Sequence, residues 1–156
     1  MEINKSSAES QNFENSLDMC VCTHIRRAAR AITRLYDDAL NDTGIRYTQM
    51  ILLTVLHDHK ELTVTRLADE MLMDASTVAR NMRPLDKNGL IVIRKGKDRR
   101  QRLISLSEKG NDVVLKGLKY RQQAQKKISS AFTEQQLMSH IASITALVDA
   151  ALENTA

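Results

Sequence analysis

Between Ser76 and Arg102 the chain carries nine basic side chains, Arg80, Arg83, Lys87, Arg94, Lys95, Lys97, Arg99, Arg100 and Arg102, against only Asp86 and Asp98. The formal charge of the whole chain is +4, so the remainder is net acidic. Positive charge gathered in one segment attracts a polyanion, and guanidinium groups add a planar fork that matches phosphate oxygens or the O6 and N7 edge of guanine. Ser76 and Thr77 precede the arginines, and their hydroxyls can take phosphates or bases. The chemistry on offer is recognition of duplex DNA. No glycine-rich phosphate loop, nucleophile elbow, metal pair or set of convergent carboxylates occurs in the sequence, so the reading is neither that of an enzyme nor of a cofactor protein.

The segments that must hold these groups read as two short helices and a hairpin. Thr63 caps a helix running to Met71, with Leu67, Ala68 and Met71 inward. Asp74 caps the next, which buries Val78, Met82 and Leu85 and leaves Ser76, Thr77, Arg80 and Arg83 on its open faces. Pro84 falls late in that helix and deletes one backbone hydrogen bond, which predicts a bend or a loosened last turn. Gly89 stops the helix, and Leu90 to Ile93 read as a strand. A charged tip from Gly96 to Arg100 leads to a return strand from Arg102 to Leu106, where imperfect alternation of Leu103 and Leu106 suggests a twist or bulge.

Helices flank this unit. From Leu17 to about Asn41, the residues Ile25, Ala28, Ile32, Leu35 and Ala39 form one apolar stripe, and Gly44 closes the segment. Thr48 is the expected cap of a second helix with Ile51, Leu52, Val55 and Leu56 inward. Ser107 opens a long helix, and Thr133 with Gln136 makes a capping box for the last one. There Leu137, Ile141, Ile144, Val148 and Ala151 repeat like a coiled-coil seam. Aromatic residues make up only 3% of the chain, so aliphatic side chains must fill the interior, as suits helix packing. The expected fold is mostly α with a small β-hairpin wing, a winged helix-turn-helix with N- and C-terminal dimerisation helices. Residues 1–16 read as a flexible N-terminal segment, 17–47 and 107–156 as dimerisation helices, and 48–106 as the DNA-binding region. The outer stripes are best buried against a second copy, which points to a two-fold dimer. No run of about 18 apolar residues exists and the N-terminus has no apolar core, so neither a membrane span nor secretion is expected; with two cysteines, the compartment reads as reducing cytoplasm.

This layout resembles the MarR family of bacterial transcription regulators, from about Leu17 to Leu152. The resemblance rests on RAARAITRLYDDAL, on LADEMLMDASTVARNMRPLDKNGL and on KDRRQRLISLSEKG, whose Asp98-Arg99-Arg100 is similar to the family's D-x-R wing motif. It implies a homodimeric regulator, a repressor in type, that binds a pseudo-palindromic operator and responds to a small aromatic acid or an oxidant. Ser76, Thr77, Arg80 and Arg83 would then enter the major groove and Arg100 the adjacent minor groove. Lys95, Lys97 and Arg99 would meet phosphates, and Asp98 would brace a neighbouring wing arginine. An effector site would lie between the dimerisation helices and the reading domain, with Arg30, Tyr36 and Met50 as lining candidates. Aligned on Arg30-Ala31-Ile32, the chain is similar to the hydroperoxide-sensing branch, with Cys22 at the reactive position and Tyr36 at one orienting position; Arg26 stands where a second tyrosine is expected.

Other readings compete with these. Cys20 and Cys22 are two apart, so on a regular helix they point about 200° from each other and cannot bridge within it. They are candidates for redox sensing, for pairing across a dimer, or for inert packing at its base. Cys20 and His24 share a helical face but Cys22 does not, and His57 and His59 are also two apart, so no metal site is expected. A winged helix used for protein contact would show an apolar outer face on the arginine-bearing helix instead. For the DNA reading, about six neutralised phosphates per dimer give a slope of log affinity against log salt near about −5. Arg100→Ala should weaken binding and flatten that slope in a salt titration, whereas an unchanged slope removes the wing from the interface.

Overall fold

The computed structural model describes residues 17–96 and 101–154. Two 3₁₀ turns, Leu17–Met19 and Asn41–Thr43, flank α1 (Val21–Ala39), and α2 (Tyr47–His59) follows. A short strand β1 (Glu61–Thr63) runs directly into α3 (Val64–Glu70) and then α4 (Ala75–Lys87). The hairpin of β2 (Ile91–Lys95) and β3 (Arg102–Leu106) precedes two long helices, α5 (Glu108–Ser129) and α6 (Glu134–Glu153). The fold is mostly α with a small antiparallel sheet, as expected. The sheet has three strands in the order β1-β3-β2, one more than the sequence reading provided. At three residues, β1 is too short to show a period of two.

The core forms around α2. Met50, Leu52, Leu53 and Leu56 are all fully buried, with Leu67 of α3, Val78 and Leu85 of α4, Ile104 of β3 and Val114 of α5. Each such aliphatic side chain contributes about 1.5–3 kcal/mol on leaving water. The expected inward set on α2 is corrected by a rotation: Met50 and Leu53 are buried, while Ile51 and Val55 are only partly so. Because α1, α3, α4, α5 and β3 all pack on α2, it is covered nearly all round, and a single stripe does not describe it.

Four of the six α-helices described start on a capping side chain. Thr63, Asp74, Ser107 and Thr133 each accept a backbone N–H from the first turn of the helix they open. Thr48, however, is not a cap; α2 begins one residue earlier. The Tyr47 N–H donates to Asp37 Oδ1 at 2.6 Å, and the Arg46 N–H to Gln49 Oε1 at 2.9 Å. A carboxylate from α1 thus satisfies an orphan donor of α2, a tertiary cap with no local signature. Gly89 takes φ +67 where α4 ends, in the left-handed region that glycine enters without strain. Pro84 lies within α4 without ending it: the helix continues to Lys87, and the Asn88 N–H returns to the Pro84 carbonyl at 3.0 Å. The β2–β3 register runs without interruption from Ile91↔Leu106 to Lys95↔Arg102, so the described ladder has no bulge.

The apolar stripes of the outer helices are left open within the chain. No residue of α6 is buried, and Met138, Ile141, Ile144, Leu147, Val148 and Leu152 are exposed. Ile25 and Ile32 of α1 are exposed as well. Where α5 meets the hairpin, the fit leaves no room for a side chain: a Cβ on Gly110 would stand 1.9 Å from the Leu90 carbonyl oxygen. At Gly117 the nearest atom is also at 1.9 Å, but it is the flexible Cε of Met50. Gly110→Ala should therefore destabilise the fold by about 1–3 kcal/mol, and Gly117→Ala by less, in urea denaturation at matched protein concentration. Equal losses would contradict the distinction between a backbone clash and a side-chain clash.

Candidate nucleic-acid interface

The arginine-bearing helix is oriented by its apolar side. Val78, Met82 and Leu85 of α4 are buried, which turns Ser76, Arg80 and Arg83 to the surface and leaves Thr77 half-covered. The open face is charged, not apolar, which speaks against a winged helix built for protein contact. Among the described residues neither Arg80 nor Arg83 is in an ion pair, so both guanidinium groups keep their donors there. The Asn81 side-chain amide donates back to the Thr77 carbonyl at 2.9 Å, which ties that side chain to its own helix.

The head of α4 is held by Asp74. Its Oδ1 accepts the Thr77 N–H at 2.7 Å and the Ser76 hydroxyl, and its Oδ2 accepts the Thr77 hydroxyl at 2.6 Å. Hydrogen bonds from Ser76 and then Thr77 hold the carboxyl well below the usual carboxylate range. A depressed folded value means the cap is fully formed at neutral pH and is lost only as pH falls through that low value. The DAST sequence carried a readable signal for this arrangement: an N-cap aspartate with hydroxyls two and three positions on.

The wing root is built by β2 and β3. Lys95 is exposed and lies opposite Arg102 across the ladder, and the Gly96 N–H still reaches the Gln101 carbonyl at 2.9 Å. Like charges directly opposite each other repel, and a phosphate between them relieves the repulsion. Arg94, by contrast, is committed: its guanidinium bonds the Glu61 carboxylate across the sheet. One of the nine basic groups is thereby neutralised, by a residue of the strand that sequence reading missed. Lys97, Asp98, Arg99 and Arg100 lie outside the described residues.

The candidate effector residues are not brought together. Tyr36 lines a hollow of about 270 Å³ with Tyr47, Arg121, Gln122 and Gln125. Its hydroxyl donates to Gln125 Oε1 at 2.6 Å, its ring lies 4.3 Å from that of Tyr47, and burial raises its pKa. Arg30 lines a different hollow, of about 470 Å³, beside Arg34, Asp37 and Arg46. Met50 is fully buried in the core against Gly117, so its place is packing. Arg121 and Gln125 escaped sequence reading because α5 read only as a dimerisation helix.

Within one chain Cys22 is exposed and Cys20 partly so, both as free thiols. Cys20 is the residue that opens α1, where the hydroxyl of Thr23 and then its N–H lower the thiol pKa. Tyr36 and Cys22 are separated by about 21 Å along α1, at about 1.5 Å per residue, so Tyr36 cannot orient Cys22 of the same chain. Among the described residues no group of three or more His, Cys, Asp or Glu could hold a metal ion, and no helix is long and apolar enough to cross a membrane.

Comparison with known proteins agrees with this geometry. A MarR family model matches residues 43–101, from the turn before α2 to the start of the return strand. The organic hydroperoxide resistance transcriptional regulator of Bacillus subtilis is 30% identical over 103 residues, 65% of this chain and 67% of that protein. The HTH-type transcriptional regulator SarZ of Staphylococcus epidermidis is 29% identical over 104 residues, 66% of this chain and 69% of its own. The crystal structure of the M. tuberculosis transcriptional regulator MosR in complex with DNA superposes with a TM-score of 0.74 at 27% identity, covering 85% of this chain and 98% of that one. The chain belongs to the MarR family: it is a winged-helix transcriptional regulator that binds DNA, and not an enzyme.

Proposed function

We propose that this regulator acts as a homodimeric repressor, with α4 of each protomer in one of two successive major grooves of a pseudo-palindromic operator. One observation carries the reading: burial of Val78, Met82 and Leu85 leaves Arg80 and Arg83 exposed on the opposite face of α4, with no ion pair among the described residues. These arginines are donors to guanine O6 and N7, and Lys95 at the wing root meets phosphate. Lys97 and Arg99 would extend the phosphate contacts, Arg100 would reach the minor groove, and Asp98 would brace the wing. The open stripes of α1 and α6 are the surfaces on which two copies close, placing the reading helices about 34–36 Å apart. A dimer seated there excludes other proteins from the same DNA. Arg80→Ala should cost about 1–3 kcal/mol in affinity and relax the preference at one base pair per half-site, measured by gel shift against a duplex selected from a random library. A uniform loss across all sequences would instead make Arg80 a phosphate contact.

The hollow at Tyr36 supports a small aromatic acid as effector. Its lining offers Arg121 to a carboxylate and the Tyr36 and Tyr47 rings to an aromatic face. Cys20 supports a second reading, release by oxidation, because its lowered pKa at the start of α1 favours the reactive thiolate. One experiment separates them. DNA release by a salicylate-like acid should need roughly tenfold more ligand or greater in Arg121→Ala, whereas release by an organic hydroperoxide should be lost in Cys20→Ser and retained in Cys22→Ser. Release by neither agent overturns both readings.

A further inference from the structure

The hydroxyls at the head of α4 are not free to bond in either direction. Thr77 Oγ1 lies 2.6 Å from Asp74 Oδ2, and Ser76 Oγ is bonded to Asp74 Oδ1. An ionised carboxylate accepts only, so the proton in each of these bonds comes from the hydroxyl. Among the described residues no lysine or arginine is paired with Asp74, so its negative charge stays behind both oxygens. What Ser76 and Thr77 have left to offer is lone pairs.

We propose that Asp74 sets the hydrogen-bond polarity of the reading head, making Ser76 and Thr77 acceptors that select a base with an exocyclic amine at one position of each half-site. The amine is N4 of cytosine or N6 of adenine, the N–H donors that the major groove displays. Guanine O6, thymine O4 and phosphate oxygens carry no proton, so they would meet these hydroxyls lone pair against lone pair, with a carboxylate behind. This revises the sequence-level expectation that either hydroxyl could take a phosphate. Arg80, three residues beyond Thr77, is a donor only, so one face of α4 presents acceptors first and donors next. The inference rests on α4 being the helix that enters the groove.

Asp74→Asn tests it. Asparagine caps a helix about as well as aspartate, but its Nδ2 donates, so the hydroxyl bonded there must accept and turn its own proton outward. Duplexes are selected from a randomised library with the full-length wild type and with the variant. The wild type should enrich cytosine or adenine at one symmetry-related position by about 5- to 150-fold over guanine or thymine, and whichever is enriched identifies the amine. In Asp74→Asn that position should move to guanine or thymine. An unchanged preference in a variant that still binds overturns the polarity assignment and leaves DNA recognition by α4 standing. Failure of the wild type to enrich any duplex overturns the reading beneath it. Should the variant enrich none, Thr77→Val decides, since it keeps the carboxylate and the β-branched shape while deleting one acceptor. Loss of preference at that position then supports the assignment, and its persistence overturns it.

Discussion

Burial of α2 on nearly every side is the constraint from which the rest of the molecule follows. Met50, Leu52, Leu53 and Leu56 are inaccessible to water, and the helices on either side of them are packed by that requirement. Because α3 and α4 both dock on α2, the apolar side of α4 is committed to the core and its arginines have only the outer face left. Sheet and wing are fixed through the same contact, since Ile104 of β3 belongs to this core. Recognition chemistry is therefore a consequence of packing.

Much of this was legible in the chain, for identifiable reasons. Caps at Thr63, Asp74, Ser107 and Thr133 are local and strong, so helix starts came through. The 3.6-residue spacing of Val78, Met82 and Leu85 fixed the buried side of α4. The failures were of another kind. The start of α2 depends on Asp37, ten residues away from Tyr47, and its rotation depends on being covered from several directions. Strand β1 exists because β3 pairs with it, Glu61 with Ser105 through Thr63 with Leu103, a contact no local pattern announces. The family resemblance alone suggests Met50 for a pocket, whereas Gly117 on α5 admits its Cε into the core.

The site was legible as charge but not as polarity. Nine basic residues are visible in the sequence; that Arg94 is neutralised by Glu61 is not, because the pair spans the sheet. Likewise, Ser76 and Thr77 are hydroxyls of either sense until Asp74 is seen to take both protons. A chain of positive groups explains attraction to DNA at any sequence. Discrimination needs donors and acceptors in a fixed order, and here that order is imposed by one carboxylate at the head of one helix.

Two copies of α4, each with its wing, are proposed to engage one face of a single duplex. Hydroxyl-radical and guanine-methylation footprinting of the bound protein on a library-selected duplex tests this most directly. Two blocks of protected guanine N7 are expected, with centres about 10–10.5 base pairs apart, each flanked by a protected minor groove. A single protected groove, or sugar protection without any guarded guanine, would contradict it.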